Sequence, residues 1–184
     1  MASALQGIRS LPANTRGIPA MFFIEDLDAF MRSETPENAI QNFHDNYSKY
    51  KLLEQRLSSS IASLKGRIPE IEKNLEAIEM LVSKTEESDQ IPVSYQLADN
   101  VSAAATANLT DRSVCLWLGA EVMVKYSFEE AQSLLKDNLR AAETNLERTL
   151  EDLDFVRVQI TTTEVNTSRV FNYDVKKRRT PVAK

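Results

Sequence analysis

The sequence has few of the residues that interrupt helices or build active sites. Its 184 residues include four glycines, six prolines, one cysteine and one histidine. Most of the glycines and prolines fall outside two long stretches, residues 36–87 and 127–174. This scarcity of helix breakers favours two long helices.

The residues needed for catalysis are also scarce. His44 and Cys115 are the only residues of their types and lie far apart in the sequence, whereas an active site needs a convergent nucleophile, base and donor. No glycine-rich phosphate loop is present. Acidic residues, interpreted here as solvated helix faces, cluster at Glu86-Glu87, Glu129-Glu130 and Glu151-Asp152-Asp154. We therefore expect no enzymatic activity, no catalytic or metal-binding residue and no cofactor.

A single cysteine cannot form an intramolecular disulfide, and Cys115 lies in the apolar run Val114–Leu118. It is therefore expected to be a small buried hydrophobe in a reducing compartment. No run approaches the roughly 18 apolar residues of a membrane span, and the N-terminus lacks the apolar core of a signal peptide. These features predict a soluble cytoplasmic protein. Arg9 and Arg16, in a stretch of 24 residues without an acid, leave a mitochondrial presequence as a minor alternative.

The charge is distributed unevenly. The formal net charge is −5, and five lysines and arginines within residues 176–184 supply +5, so the preceding residues carry −10. An acidic body of this kind does not indicate a nucleic-acid-binding protein. The basic tail, residues 176–184, has three interpretations: a nuclear import signal, a contact for acidic client tails, or a cationic turn that complements a helix dipole.

Residues 35–88 predict a first long helix. Thr35 suits the N-cap, Pro36 suits the first helical position, and Glu37 places a negative charge in the first turn. The heptad pattern of a coiled coil then follows, and Pro69 within it predicts a kink because the heptad phase is unbroken. This first seam comprises Phe43, Tyr47, Tyr50, Glu54, Leu57, Ile61, Leu64, Ile68, Ile71, Leu75, Ile78 and Val82.

Residues 127–175 predict a second long helix. Ser127 and Glu130 have the spacing of a capping box. The second seam comprises Leu135, Leu139, Ala142, Leu146, Thr149, Leu153, Val156, Ile160, Thr163, Thr167 and Val170. In an antiparallel pair, alignment of Val82 with Leu135 sets Glu54 opposite Thr163, and a slip of one heptad is the alternative register.

Residues 91–126 predict two short β-hairpins, with turns at Asp99-Asn100 and Gly119-Ala120. Two hairpins leave open strand edges, so we expect this region to associate with other chains. The residues expected to mediate oligomer assembly are Val93, Tyr95, Leu97, Val114, Leu116, Trp117, Leu118, Val122 and Val124.

Residues 1–34 predict an N-terminal leader, in which residues 1–20 are flexible and residues 21–32 form a short apolar-faced helix that packs onto the elements after it. The whole pattern is therefore mainly α with a small β-region: a long antiparallel coiled-coil hairpin whose helices are joined by two β-hairpins.

This pattern and several sequence strings resemble the α-class subunits of the prefoldin family. The resemblance spans roughly residues 17–179. It is carried by Gly17-Ile18-Pro19, Phe23-Ile24-Glu25-Asp26, Gly66-Arg67-Ile68-Pro69-Glu70-Ile71, Leu97-Ala98-Asp99-Asn100, Val114-Cys115-Leu116-Trp117-Leu118-Gly119-Ala120, Glu130-Ala131-Gln132, Glu151-Asp152-Leu153-Asp154-Phe155, Thr161-Thr162-Thr163-Glu164-Val165-Asn166, Arg169-Val170 and Asn172-Tyr173-Asp174-Val175-Lys176.

The resemblance implies a heterohexamer of two α-class and four β-class subunits. In such a complex the hairpins form a β-barrel platform and the coiled coils extend from it. Their free ends hold unfolded chains, notably actin and tubulin, and pass them to the cytosolic chaperonin without ATP. A structural coiled-coil tether or adaptor is the alternative function.

An antiparallel coiled coil would bring the two chain ends together at the tip far from the hairpins. The residues expected to bind clients there are Phe22, Phe23, Phe30, Phe43, Tyr47, Val170, Phe171 and Tyr173. Exposed apolar surface suits a protein that holds non-native chains. Packing within the seam is the alternative role for the aromatic residues on the first helix.

Overall fold

The structure, a computed structural model, describes Asn14 and residues 16–179. Within this part, three helices and four strands occur in the order α1 Leu27–Ser33, α2 Pro36–Glu87, β1 Gln90–Ala98, β2 Val101–Asn108, β3 Ser113–Gly119, β4 Val122–Ser127 and α3 Phe128–Arg179. The expected mainly α fold with two antiparallel β-hairpins is confirmed. None of these helices has the length and apolarity that a membrane crossing requires. The predictions for residues 1–13, 15 and 180–184 lie outside the described residues.

The start of α2 follows from its first residues. The main-chain N–H of Asn38 donates to the Thr35 hydroxyl at 3.4 Å, and the N–H of Ala39 donates to the Thr35 carbonyl at 3.0 Å. Pro36 is the first helical residue, where its missing N–H costs nothing. The helix then continues through Pro69 to Glu87, so this proline does not end it.

A reciprocal capping box begins α3. The N–H of Glu130 donates to the Ser127 hydroxyl at 3.3 Å, while the Ser127 N–H and hydroxyl donate to the Glu130 carboxylate at 3.1 and 3.0 Å. These bonds satisfy donors that a helix start leaves unpaired. The sequence pattern identified this start correctly.

Helix α3 continues into the stretch predicted as a basic tail over residues 176–184. Residues 176–179 are helical, which agrees with their interpretation as a cationic turn, and residues 180–184 lie outside the described residues. Lysine and arginine are good helix formers and complement the negative end of the helix dipole. Arg178 also pairs with Asp174 and Glu37, both at 2.9 Å, which holds this turn to the start of α2.

Both seams face inward. Every residue of the first and second seams is buried or half-buried, whereas the positions between them are mostly exposed. The carboxylate of Glu54 lies 3.4 Å from the guanidinium of Arg157. This contact contradicts the alignment of Val82 with Leu135 and fits the slipped register, which sets Glu54 opposite Val156.

Contacts divide the chain into two units, each with its own apolar cluster. The terminal unit contains Met1–Ile61 and Arg148–Lys184, and the hairpin unit contains Ala62–Glu147. The buried core of the terminal unit comprises Met21, Ile24, Ala39, Phe43, Tyr50, Val156, Ile160 and Val170. That of the hairpin unit comprises Leu75, Ile78, Phe128, Ala131 and Leu135.

The first hairpin pairs β1 with β2 through the predicted turn at Asp99-Asn100. In the second hairpin, the turn falls at Ala120-Glu121, one residue later than predicted. Ala120 and Glu121 both take positive φ values, 49° and 61°, the backbone that two-residue hairpin turns favour. Gly119 therefore becomes the last residue of β3, at φ 93° beside a β-bulge.

The leader differs most from the prediction. Residues 21–26 are not helical, and helix α1 begins only at Leu27, where the Asp26 carboxylate accepts from the N–H of Ala29 at 3.0 Å. Met21 and Ile24 are buried, with 8% and 3% of their surfaces exposed. The main chain of this segment is bonded to side chains of α3, which keeps it out of a helix. Residues 16–20, predicted to be flexible, are thus attached to the helices, and the expected packing of residues 21–32 onto the rest of the chain is observed.

Candidate functional site

Three phenylalanines form an aromatic cluster in the terminal unit. The ring centroids of Phe22 and Phe30 are 5.9 Å apart, those of Phe22 and Phe43 are 6.1 Å apart, and the stacked rings of Phe30 and Phe43 are 6.3 Å apart. These distances are typical of favourable aromatic pairs. The leader is therefore attached to α2 by ring packing.

The eight residues assigned to client binding by the sequence fall into three classes. Buried in the core are Phe43 and Val170, with 3% and 0% of their surfaces exposed. Half-buried are Phe22, Phe30, Tyr47 and Tyr173. Exposed are Phe23 at 55% and Phe171 at 57%. Only the last two present most of their surface to a potential partner.

Phe171 stands beside open surface between α2 and α3. A groove of about 390 Å³ is lined by Ile40, Gln41, His44, Tyr47, Glu164, Thr167 and Ser168. Ile40, Thr167 and Ser168 continue into a second depression lined by Phe171 and Asn172. The described residues contain no group of acidic, histidine and cysteine side chains that could hold a metal ion. The groove is mixed in character, because Ile40 and Tyr47 supply apolar surface whereas its other lining residues are polar or charged.

A polar stripe on α3 receives the leader. It consists of Asp152, Gln159 and Asn166, which recur every seven residues and are 8%, 6% and 0% exposed. The Asp152 carboxylate accepts from the Asn14 amide at 2.7 Å and from the Arg16 guanidinium at 2.8 Å. This corrects the assignment of Asp152 to a solvated face.

Gln159 and Asn166 bond the leader's main chain. Neither residue was predicted, because polar side chains on a helix usually face water. Their spacing of seven residues, equal to the period of the seam, was the available signal. A polar stripe with the seam's period indicates a third segment packed along the helix.

The hairpin unit contains the residues predicted to mediate oligomer assembly, and several of them are exposed. Trp117 and Leu97 are each 61% exposed, and Val93, Tyr95, Leu118 and Val122 are between 40% and 51% exposed. On the first hairpin, Val93 and Tyr95 stand opposite Ala105 and Ala103. These four residues give the first hairpin an apolar face with small side chains on one strand. We use the name hairpin surface for these residues together with Trp117, Leu118 and Val122 of the second hairpin.

Val114 and Leu116 have a different role from the one predicted. Both are half-buried and pack, with Tyr126, against the cluster around Phe128, so they join β3 to the chain's own helices. Val124, opposite Leu116, is also half-buried. Three of the predicted assembly residues are therefore at least partly covered within this chain.

Cys115 is exposed, which contradicts the expectation of a buried thiol. It shares the outer face of the second hairpin with Trp117, because side chains two residues apart on a strand point the same way. Opposite them across the ladder stand Lys125 and Met123. The apolar run led to the wrong expectation since its inner and outer faces are equally hydrophobic.

Ion pairs shift the pKa values of several surface groups. Lys51, at 3.0 Å, and Arg157 lower the pKa of the Glu54 carboxyl.

The pKa of Tyr50 is raised because burial disfavours its ionised form. The Tyr50 hydroxyl donates to the Pro19 carbonyl at 2.9 Å, which attaches the leader to α2. These are structural interactions and none resembles an acid–base pair of an active site.

Comparison with known proteins identifies the family. Residues 50–173 match the model of the family described as prefoldin subunit. Prefoldin subunit 3 of Mus musculus is 44% identical over 179 residues, covering 94% of this chain and 91% of the mouse protein. Prefoldin subunit 3 of Homo sapiens is 46% identical over 165 residues, covering 88% and 83%. The probable prefoldin subunit 3 of Schizosaccharomyces pombe is 41% identical, covering 89% and 94%.

The resemblance to α-class prefoldin subunits is thereby confirmed, and so is the prediction that the chain is not an enzyme, because prefoldin is a non-enzymatic chaperone family. The family match, the two long heptad helices and the tandem hairpins agree, and the chain belongs to the prefoldin family.

Proposed function

We propose that this chain is the subunit 3 type component of a cytoplasmic prefoldin heterohexamer of two α-class and four β-class subunits. It assembles through its hairpin surface and holds unfolded polypeptides, such as actin and tubulin, at its terminal unit. The complex passes these clients to the cytosolic chaperonin without ATP. Similarity to curated prefoldin subunit 3 proteins over most of the chain supports this proposal.

The exposed apolar surface in each unit carries the proposal. Trp117 and Leu97 are 61% exposed, and Phe23 and Phe171 are 55% and 57% exposed. Clusters of exposed large apolar side chains mark interaction sites on soluble proteins. The hairpin residues lie on strands with unpaired edges, which suits pairing with strands of other subunits. The terminal-unit residues are single exposed rings, which suits weak and unselective contact with many clients.

The double variant Phe23→Ser/Phe171→Ser tests the client-binding role. Both side chains are exposed, so their removal leaves the core of the terminal unit in place. We expect the reconstituted complex to form normally but to suppress aggregation of denatured actin less well. The loss should be partial because the other subunits still present their own binding surfaces. Light scattering measures both the size of the complex and the aggregation of the client.

Met80→Ser is the matched control, since Met80 is an equally exposed apolar residue, at 57%, in the hairpin unit. It should protect clients as well as the original chain does. If the double variant also protects fully, then the terminal unit of this subunit is not a client-binding site. The structural tether would then be the better description of its role.

A further inference from the structure

The leader's main chain is held by side chains of α3 in a way that does not depend on its sequence. The N–H of Met21 donates to the Gln159 amide oxygen at 2.8 Å, and the N–H of Ile24 donates to the Asn166 amide oxygen at 3.1 Å. The Asn166 amide nitrogen donates back to the Phe22 carbonyl at 2.6 Å. Every residue except proline carries the same N–H and carbonyl groups. This arrangement can therefore bind the main chain of other segments.

Two apolar side chains of the leader are buried beside these main-chain bonds. Met21 and Ile24 enter the cluster that contains Val156, Ile160 and Val170. Their near-complete burial shows that the surface between the two side-chain amides accepts aliphatic groups three residues apart. A main-chain clamp flanked by apolar pockets is a common way to bind extended peptides.

The two ends of the leader segment are held by charged groups. Arg16 bonds the carboxylates of Glu151, at 2.9 Å, and Asp152, at 2.8 Å. At the other end, the Arg169 guanidinium donates to the carbonyls of Ile24 and Glu25 and lies 4.8 Å from the centre of the Phe23 ring. The Arg16–Glu151 pair is exposed, at 31% and 65% of the side chains, and contributes little, whereas the Asp152 side chain is only 11% exposed. Charged groups at both ends thus fix the direction of the bound segment.

We propose that α3, from Asp152 to Arg169, carries a binding site for extended polypeptide that the chain's own leader occupies. An extended apolar segment of an unfolded client displaces residues 16–26 and takes over the bonds to Gln159 and Asn166. The client part of this inference rests on the proposed function. The binding site itself does not, because its occupant is present in the chain.

A peptide-binding experiment on the reconstituted complex tests the site. The variant Met21→Asp/Ile24→Asp places two charges where the apolar cluster excludes them, and should release the leader while leaving α3 unchanged. The probe is a fluorescent peptide with the sequence of residues 14–26, followed by anisotropy. We expect it to bind the leader-released complex at least about tenfold more tightly than the original complex, in which the leader competes as a tethered ligand.

Two matched controls separate specific from general binding. Adding Asn166→Ala to the leader-released variant should weaken peptide binding about tenfold, since two main-chain bonds are lost. A probe peptide carrying the same Met21→Asp and Ile24→Asp changes should not bind detectably. Equal, weak binding of the original probe to the released and unreleased complexes would overturn the proposal.

If the released variant fails to assemble, hydrogen exchange on the unmodified complex tests whether the leader can separate from α3. A displaceable leader requires the amides of Met21 and Ile24 to exchange at least about tenfold faster than those of Val156 and Ile160. Equal protection would mean that the leader never separates from α3 and would overturn the inference. Failure of the original complex to protect actin would count only against the proposed function, because the peptide assay uses no client.

Discussion

Tyr50 shows how one residue can link the leader to the coiled coil. Its ring is buried in the core of the terminal unit, and its hydroxyl donates to the Pro19 carbonyl at 2.9 Å. Burial raises its pKa above the ordinary value of 10.0. Its neutral form is therefore favoured in the folded state, so its contribution to stability is complete below about pH 10 and is lost as the pH rises through the raised pKa.

We predict that Tyr50→Phe lowers the free energy of unfolding by about 1 kcal/mol at pH 8, because the hydrogen bond to Pro19 is lost. The difference from the original chain should narrow above about pH 10, since the tyrosine then ionises in the unfolded state while burial still keeps it neutral in the folded state. Denaturant unfolding of the complex at a series of pH values measures this difference. Tyr173→Phe, at a half-buried position on α3 outside the hairpin surface, is the control and should have little effect. A gap that widens at alkaline pH would contradict the prediction.

Asp152, Gln159 and Asn166 explain why the attachment of the leader to α3 was not predicted. Asp152 was assigned to a solvated face and the two amides were not singled out, although all three are buried and share the seven-residue spacing of the seam. The pattern of a single helix cannot show which segment will cover a polar stripe. Phe23 and Phe171 lie outside the seams and could be predicted as exposed aromatics. Phe43 and Val170 belong to the first and second seams, and their burial followed from that.

At the scale of elements, the sequence predicted helix starts better than turns. Ser127 and Glu130 form a local motif that needs no tertiary contact, and the capping box appears as expected. The second hairpin turn depends on the φ angles of Ala120 and Glu121, residues that rarely adopt positive values. The register of the seams depends on distant contacts such as that of Glu54 with Arg157, so repeating heptads left two alternatives.

We predict that Ser127→Ala lowers the free energy of unfolding by about 1 kcal/mol, the usual cost of removing an N-cap side chain. The amides at the start of α3 should also exchange faster because the Ser127 hydroxyl no longer accepts from Glu130. Ser133→Ala is the control, since Ser133 is exposed inside the same helix, where alanine has the higher helix propensity. If both variants unfold alike, the capping box does not stabilise α3.

At the scale of the whole molecule, the hairpin surface is an exposed apolar area that assembly with other subunits would cover. Trp117, at 61% exposed, shares a face with the thiol of Cys115 and with Met123 opposite it. An indole of this size buries about 150–250 Å² when a partner covers it. Assembly should therefore depend more on Trp117 than on any aliphatic residue of the same hairpin.

We predict that Trp117→Asp reduces incorporation of the chain into the hexamer at least about tenfold, because burial of an unpaired charge opposes association. Helix content should stay unchanged, since α2 and α3 do not depend on this side chain. Light scattering of mixed subunits measures assembly, and circular dichroism measures helix content. Met80→Asp introduces the same charge at an exposed site on α2 and should assemble normally. Normal assembly of the Trp117 variant would show that the interface lies elsewhere.

The bond between Ile24 and Asn166 joins residues 142 positions apart. A ribosome adds about 5–20 residues per second, so roughly 7–28 seconds separate the synthesis of the two partners. During this interval Met21, Ile24 and the apolar side of α2 have no α3 to cover them. A nascent chain of this chaperone subunit is thus itself an unfolded polypeptide with exposed apolar segments, and its own production requires protection of the kind that the finished complex is proposed to give.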